Sequence, residues 1–190
     1  MRTTLTFAAA LLGASAAAHP ADAADRHRGG TAYEVYREGF LIGFSLGAGG
    51  LGPDPCHDCG VGVAFDFHLG AMASREVAVM LEGDVAIRGD VTHALVGAAA
   101  QWWPDPAGRF WVKGGIGIGS LDHGGDTSFP GDPFASRNNN YVYPTVFGGG
   151  GVEVVRSGRF TIDVQLKGAA TRQRGDWGRS VSVNVGLNWY

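Results

Sequence analysis

Cysteine is scarce in this sequence: two residues in 190, both in Cys56-His57-Asp58-Cys59. A structural zinc site of the common kind takes four ligands, usually as two such pairs, and no second pair exists. Charge is scarce too, at 17% of residues against a usual share of about 25%. Neither sign is in excess. Fifteen basic and 18 acidic side chains leave a net charge of −3, which excludes the basic field of a nucleic-acid binder. Beyond residue 23 there is no run of 18 apolar residues, so no transmembrane helix is expected. Apolar residues spaced at three and four, the mark of an amphipathic helix, are missing over any useful length.

Glycine is in excess instead. There are 32 glycines without a collagen-like period, and at 45% hydrophobic residues the chain is too apolar to stay disordered. Residues 1–23 read apart from the rest. Arg2, the apolar stretch Leu5–Leu12 and the small residues ending in Ala21-Asp22-Ala23 are the parts of a secretory signal peptide, with Ala24 as the first mature residue. Export places Cys56 and Cys59 in an oxidising compartment, where a small disulfide-closed loop is the leading reading; metal or redox chemistry shares the same spacing.

What recurs along the mature chain is alternation with a period of two, the signature of strands. Phe40, Ile42, Phe44, Leu46 and Ala48 alternate with Gly43, Ser45, Gly47 and Gly49. Seven further segments follow: Val61–Gly70, Val77–Arg88, His93–Trp102, Val112–Gly119, a glycine-rich stretch over 142–154, Phe160–Lys167 and Val181–Trp189. In every segment the Val, Ile, Leu and Phe face carries no charge. The charges sit on the other, glycine-rich face: Asp66, Glu82, Asp84, Arg88, Lys113, Glu153, Asp163 and Lys167. A soluble barrel puts its large apolar side chains inside. Here the uncharged face reads as facing lipid and the charged face as a crowded, ion-paired lumen. Segments of 10–12 residues match the roughly 9–11 that a tilted strand needs to cross a membrane.

The connections alternate in length. Ala73-Ser74-Arg75, Pro104–Gly108 and Arg156-Ser157-Gly158 are short, whereas Gly50–Gly60, Leu121–Asn140 and Arg172–Arg179 are expected as longer polar loops; the turn near Gly89-Asp90 is a short exception. Short turns on one side and long loops on the other is the outer-membrane pattern. Phe40, Trp102, Trp103, Phe110, Trp111, Phe160, Trp189 and Tyr190 fall at the short-turn level and are expected to form an interfacial girdle. If the Ala73-Ser74-Arg75 turn closes its hairpin symmetrically, Asp66 stands opposite Glu82. Two opposed carboxylates repel, so they either share a proton or accept a cation from across the lumen; the cation is the expectation, with Lys167 ahead of Arg88.

With signal peptide, alternating segments and terminal Trp189-Tyr190 in hand, the chain resembles the small outer-membrane β-barrels of Gram-negative bacteria, of the OmpA/OmpX type. The resemblance covers residues 39–190 and implies an all-β, eight-stranded antiparallel up-and-down transmembrane barrel with a filled polar lumen. Residues 24–38 become a periplasmic lead-in. The resemblance also implies the cell outer membrane as location, the lipid bilayer and lipopolysaccharide as surroundings, and a monomer. Tyr190 looks like the C-terminal aromatic read by the barrel-assembly machinery, although Trp189, not Tyr190, continues the lipid-facing phase.

No motif carries catalysis or a cofactor. Gly47–Gly52 matches the dinucleotide pattern G-x-G-x-x-G, but Pro53-Asp54-Pro55 cannot open the helix that such a site requires. Gly148–Gly151 lacks the Lys-Ser/Thr of a phosphate loop. His123, Asp126 and Ser128 offer triad residue types in one loop without the preorganisation that catalysis needs. No catalytic, metal or cofactor residue is expected. The function expected is a non-enzymatic, surface-exposed structural or adhesin-like role through the extracellular loops, Leu121–Asn140 foremost. The alternatives are a lipid-A-modifying enzyme, a narrow pore, and a soluble lipocalin-like binder with the Val/Phe face turned inward.

Overall fold

The computed structural model describes residues 37–52, 61–89, 91–123, 142–173 and 176–190. Residues 1–36, Cys56, Cys59 and most of the 121–140 loop lie outside them. Eight strands follow in chain order: β1 (Phe40–Gly52), β2 (Gly62–Met72), β3 (Val77–Arg88), β4 (Val91–Trp102), β5 (Phe110–His123), β6 (Tyr143–Ser157), β7 (Phe160–Gln173) and β8 (Asp176–Trp189). Each pairs antiparallel with its sequence neighbour, and β1 pairs with β8 from Ile42↔Trp189 to Gly52↔Arg179, which closes the barrel. Closure leaves no strand with an edge of unpaired N–H and C=O groups, the condition for standing in hydrocarbon.

The period of two fixes which side chains go where. Phe40, Leu81 and Ile116 point outward and are 60%, 63% and 70% exposed, and the Val, Ile and Leu residues in phase with them are exposed or half-buried. Asp66, Glu82, Lys113, Asp163 and Lys167 point inward and are buried. A soluble lipid-binding barrel needs the reverse arrangement, so the lipocalin-like alternative is overturned. Eight strands enclose a lumen just wide enough for side chains to fill.

The short turns explain the register. Ala73 N–H donates to the Val77 carbonyl at 2.8 Å, and the Ser74 hydroxyl accepts from the N–H groups of Glu76 and Val77. The turn therefore holds two residues more than a symmetric closure on Ser74, and β2 pairs with β3 as Met72↔Ala78, His68↔Glu82 and Asp66↔Asp84. The expected Asp66–Glu82 opposition is thus corrected to Asp66–Asp84. The turn after β6 also moves, to Gly158-Arg159, where Gly158 takes the left-handed φ of 59°.

Two further expectations shift. Much of the expected Arg172–Arg179 loop is strand: β7 and β8 stay paired through Arg172↔Trp177 and Gln173↔Asp176. In β6 the register shifts between Glu153 and Val155, so Val154 is an extra residue. That bulge leaves Val154 and Val155 both exposed and turns Arg156 back to the lumen.

Candidate functional site

The lumen is built in layers, and its floor lies at the short-turn end. Glu153, fully buried, is the acceptor at its centre. Arg37 Nη2 donates to its Oε2 at 2.7 Å and Arg156 Nε to the same oxygen at 2.7 Å; Trp103 Nε1 and the Tyr190 hydroxyl donate to Oε1 at 3.0 and 3.3 Å. Arg37 also donates to the Pro106 and Gly108 carbonyls, and its guanidinium stacks 4.7 Å from the Trp103 ring. Arg156 donates to the Ala107 and Gly108 carbonyls. Burial, and then the Glu153 charge, push the Tyr190 phenol above its ordinary range. The N-terminal lead-in, the β4–β5 turn, β6 and the C-terminus therefore meet on one carboxylate.

This floor corrects the girdle. Phe40, Trp102, Phe110, Phe160 and Trp189 lie on the outer face, where Trp189 packs on Phe44 and Phe160 at ring distances of 5.8 and 5.0 Å. Trp103, Trp111 and Tyr190 are instead 0%, 1% and 5% exposed, inside the barrel. Each directly follows an outward aromatic, and consecutive strand residues face opposite ways. Above the floor, Trp111 Nε1 and Asn188 Nδ2 donate to Asp163 Oδ2 at 3.2 and 3.1 Å. The absence of a side chain at Gly151 makes room for the Trp111 ring, which a β-carbon there would meet at 2.5 Å.

The centre gathers five of the charges named from sequence. Lys167 Nζ bridges Asp66, Glu82 Oε1 at 2.7 Å and Asp84 Oδ2 at 2.7 Å. Lys113 Nζ lies 2.6 Å from Glu82 Oε2 and 3.8 Å from Asp66 Oδ2, and 5.7 Å from the Trp111 ring. The three carboxylates converge closely enough to hold a cation, their ligand atoms lying within 4.8 Å of one another. The ammonium groups already serve that role. His68 Nδ1 lies 3.2 Å from Asp66 Oδ1. Glu153 and Asp163 belong to the floor layers, and Arg88 lies nearer the loop end, donating to the Leu51 carbonyl at 2.9 Å.

Above the central charges lies a layer of histidine and hydroxyl groups. His93 Nε2 and Nδ1 lie 2.8 and 3.2 Å from Thr171 Oγ1 and Ser180 Oγ, and Thr171 lies 2.7 Å from Thr145 Oγ1. A cavity between this layer and Lys167, lined by Asp84, Leu95, Phe147, Ser180 and Ser182, has about 10 Å³ of room, the space of about one water molecule. His68 and His93 were legible as inward by phase, though not as partners of the charges and hydroxyls. Arg37 was not, because it precedes the first alternating residue.

No protein-family model and no curated protein sequence matches the chain. Solved structures do. Neisserial surface protein A aligns with a TM-score of 0.54 at 14% identity, covering 79% of this chain and 96% of its own. The N-terminal β-barrel domain of Pseudomonas aeruginosa OprF gives 0.52 at 14% identity, covering 80% and 98%. Ail, the attachment invasion locus protein of Yersinia pestis, gives 0.52 at 12% identity, covering 80% and 99%. Closed at eight strands, apolar outside and ion-paired within, the chain has the fold of the small transmembrane β-barrels of bacterial outer membranes.

Proposed function

We propose that the protein is a monomeric, non-enzymatic outer-membrane barrel that presents its longer loops outside the cell as an interaction surface, in the manner of an adhesin. The observation that carries this reading is the filled lumen. From Glu153 to His93 ion pairs and hydrogen bonds link the charged groups, Ser45 and Asn184 being buried among them with no side-chain hydrogen-bond partner in the described residues, and the cavity found there has room for about one water. Such an interior favours a scaffold over a conduit or a substrate site. Function on a rigid scaffold resides in the loops it carries, and the longest of these is the connection between β5 and β6. The likeness to Ail, described as an attachment invasion locus protein, supports the same reading.

In this reading Ala24 begins the mature chain, Cys56 and Cys59 are joined in their loop, and the C-terminal aromatics serve recognition by the assembly machinery. The test is surface expression of the full chain, and of a variant with residues 124–140 replaced by a Gly-Ser linker, in bacteria of low intrinsic adhesion. Retention on a matrix-coated surface is expected for the full chain and lost in the variant. Equal retention of both, or a changed lipid A mass spectrum on expression, overturns the proposal. In planar bilayers no steady conductance is expected; a stable open level would favour a narrow pore.

A further inference from the structure

Two arginines break the pattern of the outer face. Outward positions are uncharged from Phe160 to Ala170 along β7 and from Trp189 to Val181 along β8, and the next outward residues are Arg172 and Arg179, both exposed. Trp177, the outward residue after Arg179, stands opposite Arg172 in the register. Among the described residues neither arginine has an ion pair, and the exposed neighbours at the start of β6, Pro144 and the preceding Val142, are uncharged. Arg179 is ten residues from Trp189. At ~3.3 Å per residue on a strand tilted by about 40°, that separation is about 25 Å of height, the thickness of the apolar band of such a barrel. The arginines therefore stand at its loop-side rim, at headgroup depth, and face sideways.

We infer that Arg172, Trp177 and Arg179 form a binding site for a phosphate group on the headgroup of an anionic lipid in the leaflet on the loop side. Ala170 pairs with Arg179 and Arg172 with Trp177, so the two arginines are diagonal neighbours across the ladder, about 7–8 Å apart at their backbones. Two guanidinium forks at that spacing reach a single phosphate, which each can bind through paired N–H donors. The Trp177 ring, apolar in body and polar at its N–H, suits the same depth. Below the pair the face is low, with Gly168 opposite Val181 and then Ala170, so an acyl chain can lie along the strands while its phosphate stays at the rim. A soluble polyanion would meet side chains pointing up from loops, whereas these point toward lipid.

The site rests on the outer-membrane reading, and the test separates the two. The full chain in dodecyl maltoside micelles is titrated with diphosphoryl lipid A, and bound copies are counted by native mass spectrometry. Arg172→Gln with Arg179→Gln is expected to weaken binding at least tenfold, Arg75→Gln at the opposite rim to leave it unchanged, and monophosphoryl lipid A to bind the wild type more weakly. Should the double variant fail to give the folded gel band, Arg172→Lys with Arg179→Lys is read instead. It keeps the charge but loses the fork, and several-fold weaker binding is expected. Unchanged binding in the folded variant, or displacement of lipid A by inorganic pyrophosphate at equal concentration, overturns the site. Recovery of the wild-type chain in the aqueous fraction without detergent overturns the membrane reading itself.

Discussion

Lys167 stands in the middle of three buried carboxylates, and its contribution depends on how many of them remain charged. Removing it leaves Asp66 and Asp84 opposed with Lys113 as the one lysine nearby among the described residues, so Lys167→Met is expected to cost about 3–5 kcal/mol of unfolding free energy. In an Asp66→Asn, Asp84→Asn background the Glu82–Lys113 pair is already balanced, and Lys167 becomes the excess charge. There the same substitution is expected to be neutral or stabilising. Urea titration in lipid vesicles measures both, and equal losses would show that the charges are not coupled. The two isolated acids should also differ. Glu153→Gln strips two arginines of their anion and is expected to destabilise strongly, whereas Asp163, held only by the neutral donors Trp111 and Asn188, should tolerate Asn with little change. The bridging lysine was legible in the sequence because inward phase and opposite charge select it. Its partner was not, since two additional residues in the Ala73–Val77 turn move the facing carboxylate from Glu82 to Asp84.

At the scale of the strand, alternation located all eight elements, because each has one face in lipid and one in a packed lumen. It failed where that contrast ends. β7 and β8 run past the apolar band into Arg172, Gln173 and Asp176 while their ladder continues, and hydrophobic patterning reports burial in lipid rather than hydrogen bonding. It failed again at the β6 bulge, where Val154 and Val155 share a face. In the spanning part the contrast makes a sharp test. Val164 lies midway along the outer face of β7, paired with Val152 and Val185. Val164→Arg is expected to cost about 2–4 kcal/mol in vesicles, since a cation near the bilayer midplane has no partner there. A silent Val164→Arg would mean that the outer face does not meet lipid.

For the whole molecule the decisive property is the ring. Every strand in a closed barrel has two hydrogen-bonded neighbours, so none offers the edge position where proline is tolerated. Pro144 conforms, sitting next to the first residue of β6 at the loop end. Val185 is the opposite case: it pairs with Leu46 on one side and Val164 on the other, in the middle of β8. Before boiling, the wild-type protein is expected to migrate on a detergent gel at a position distinct from the boiled chain, because a ring without an edge has nowhere to fray. Val185→Pro removes a ladder donor and forces a fixed φ beside the β1–β8 seam. It should abolish that distinct band, whereas Val142→Pro, preceding β6, should keep it. A shifted band that survived in Val185→Pro would place the origin of the compact form elsewhere than in the closure through β8.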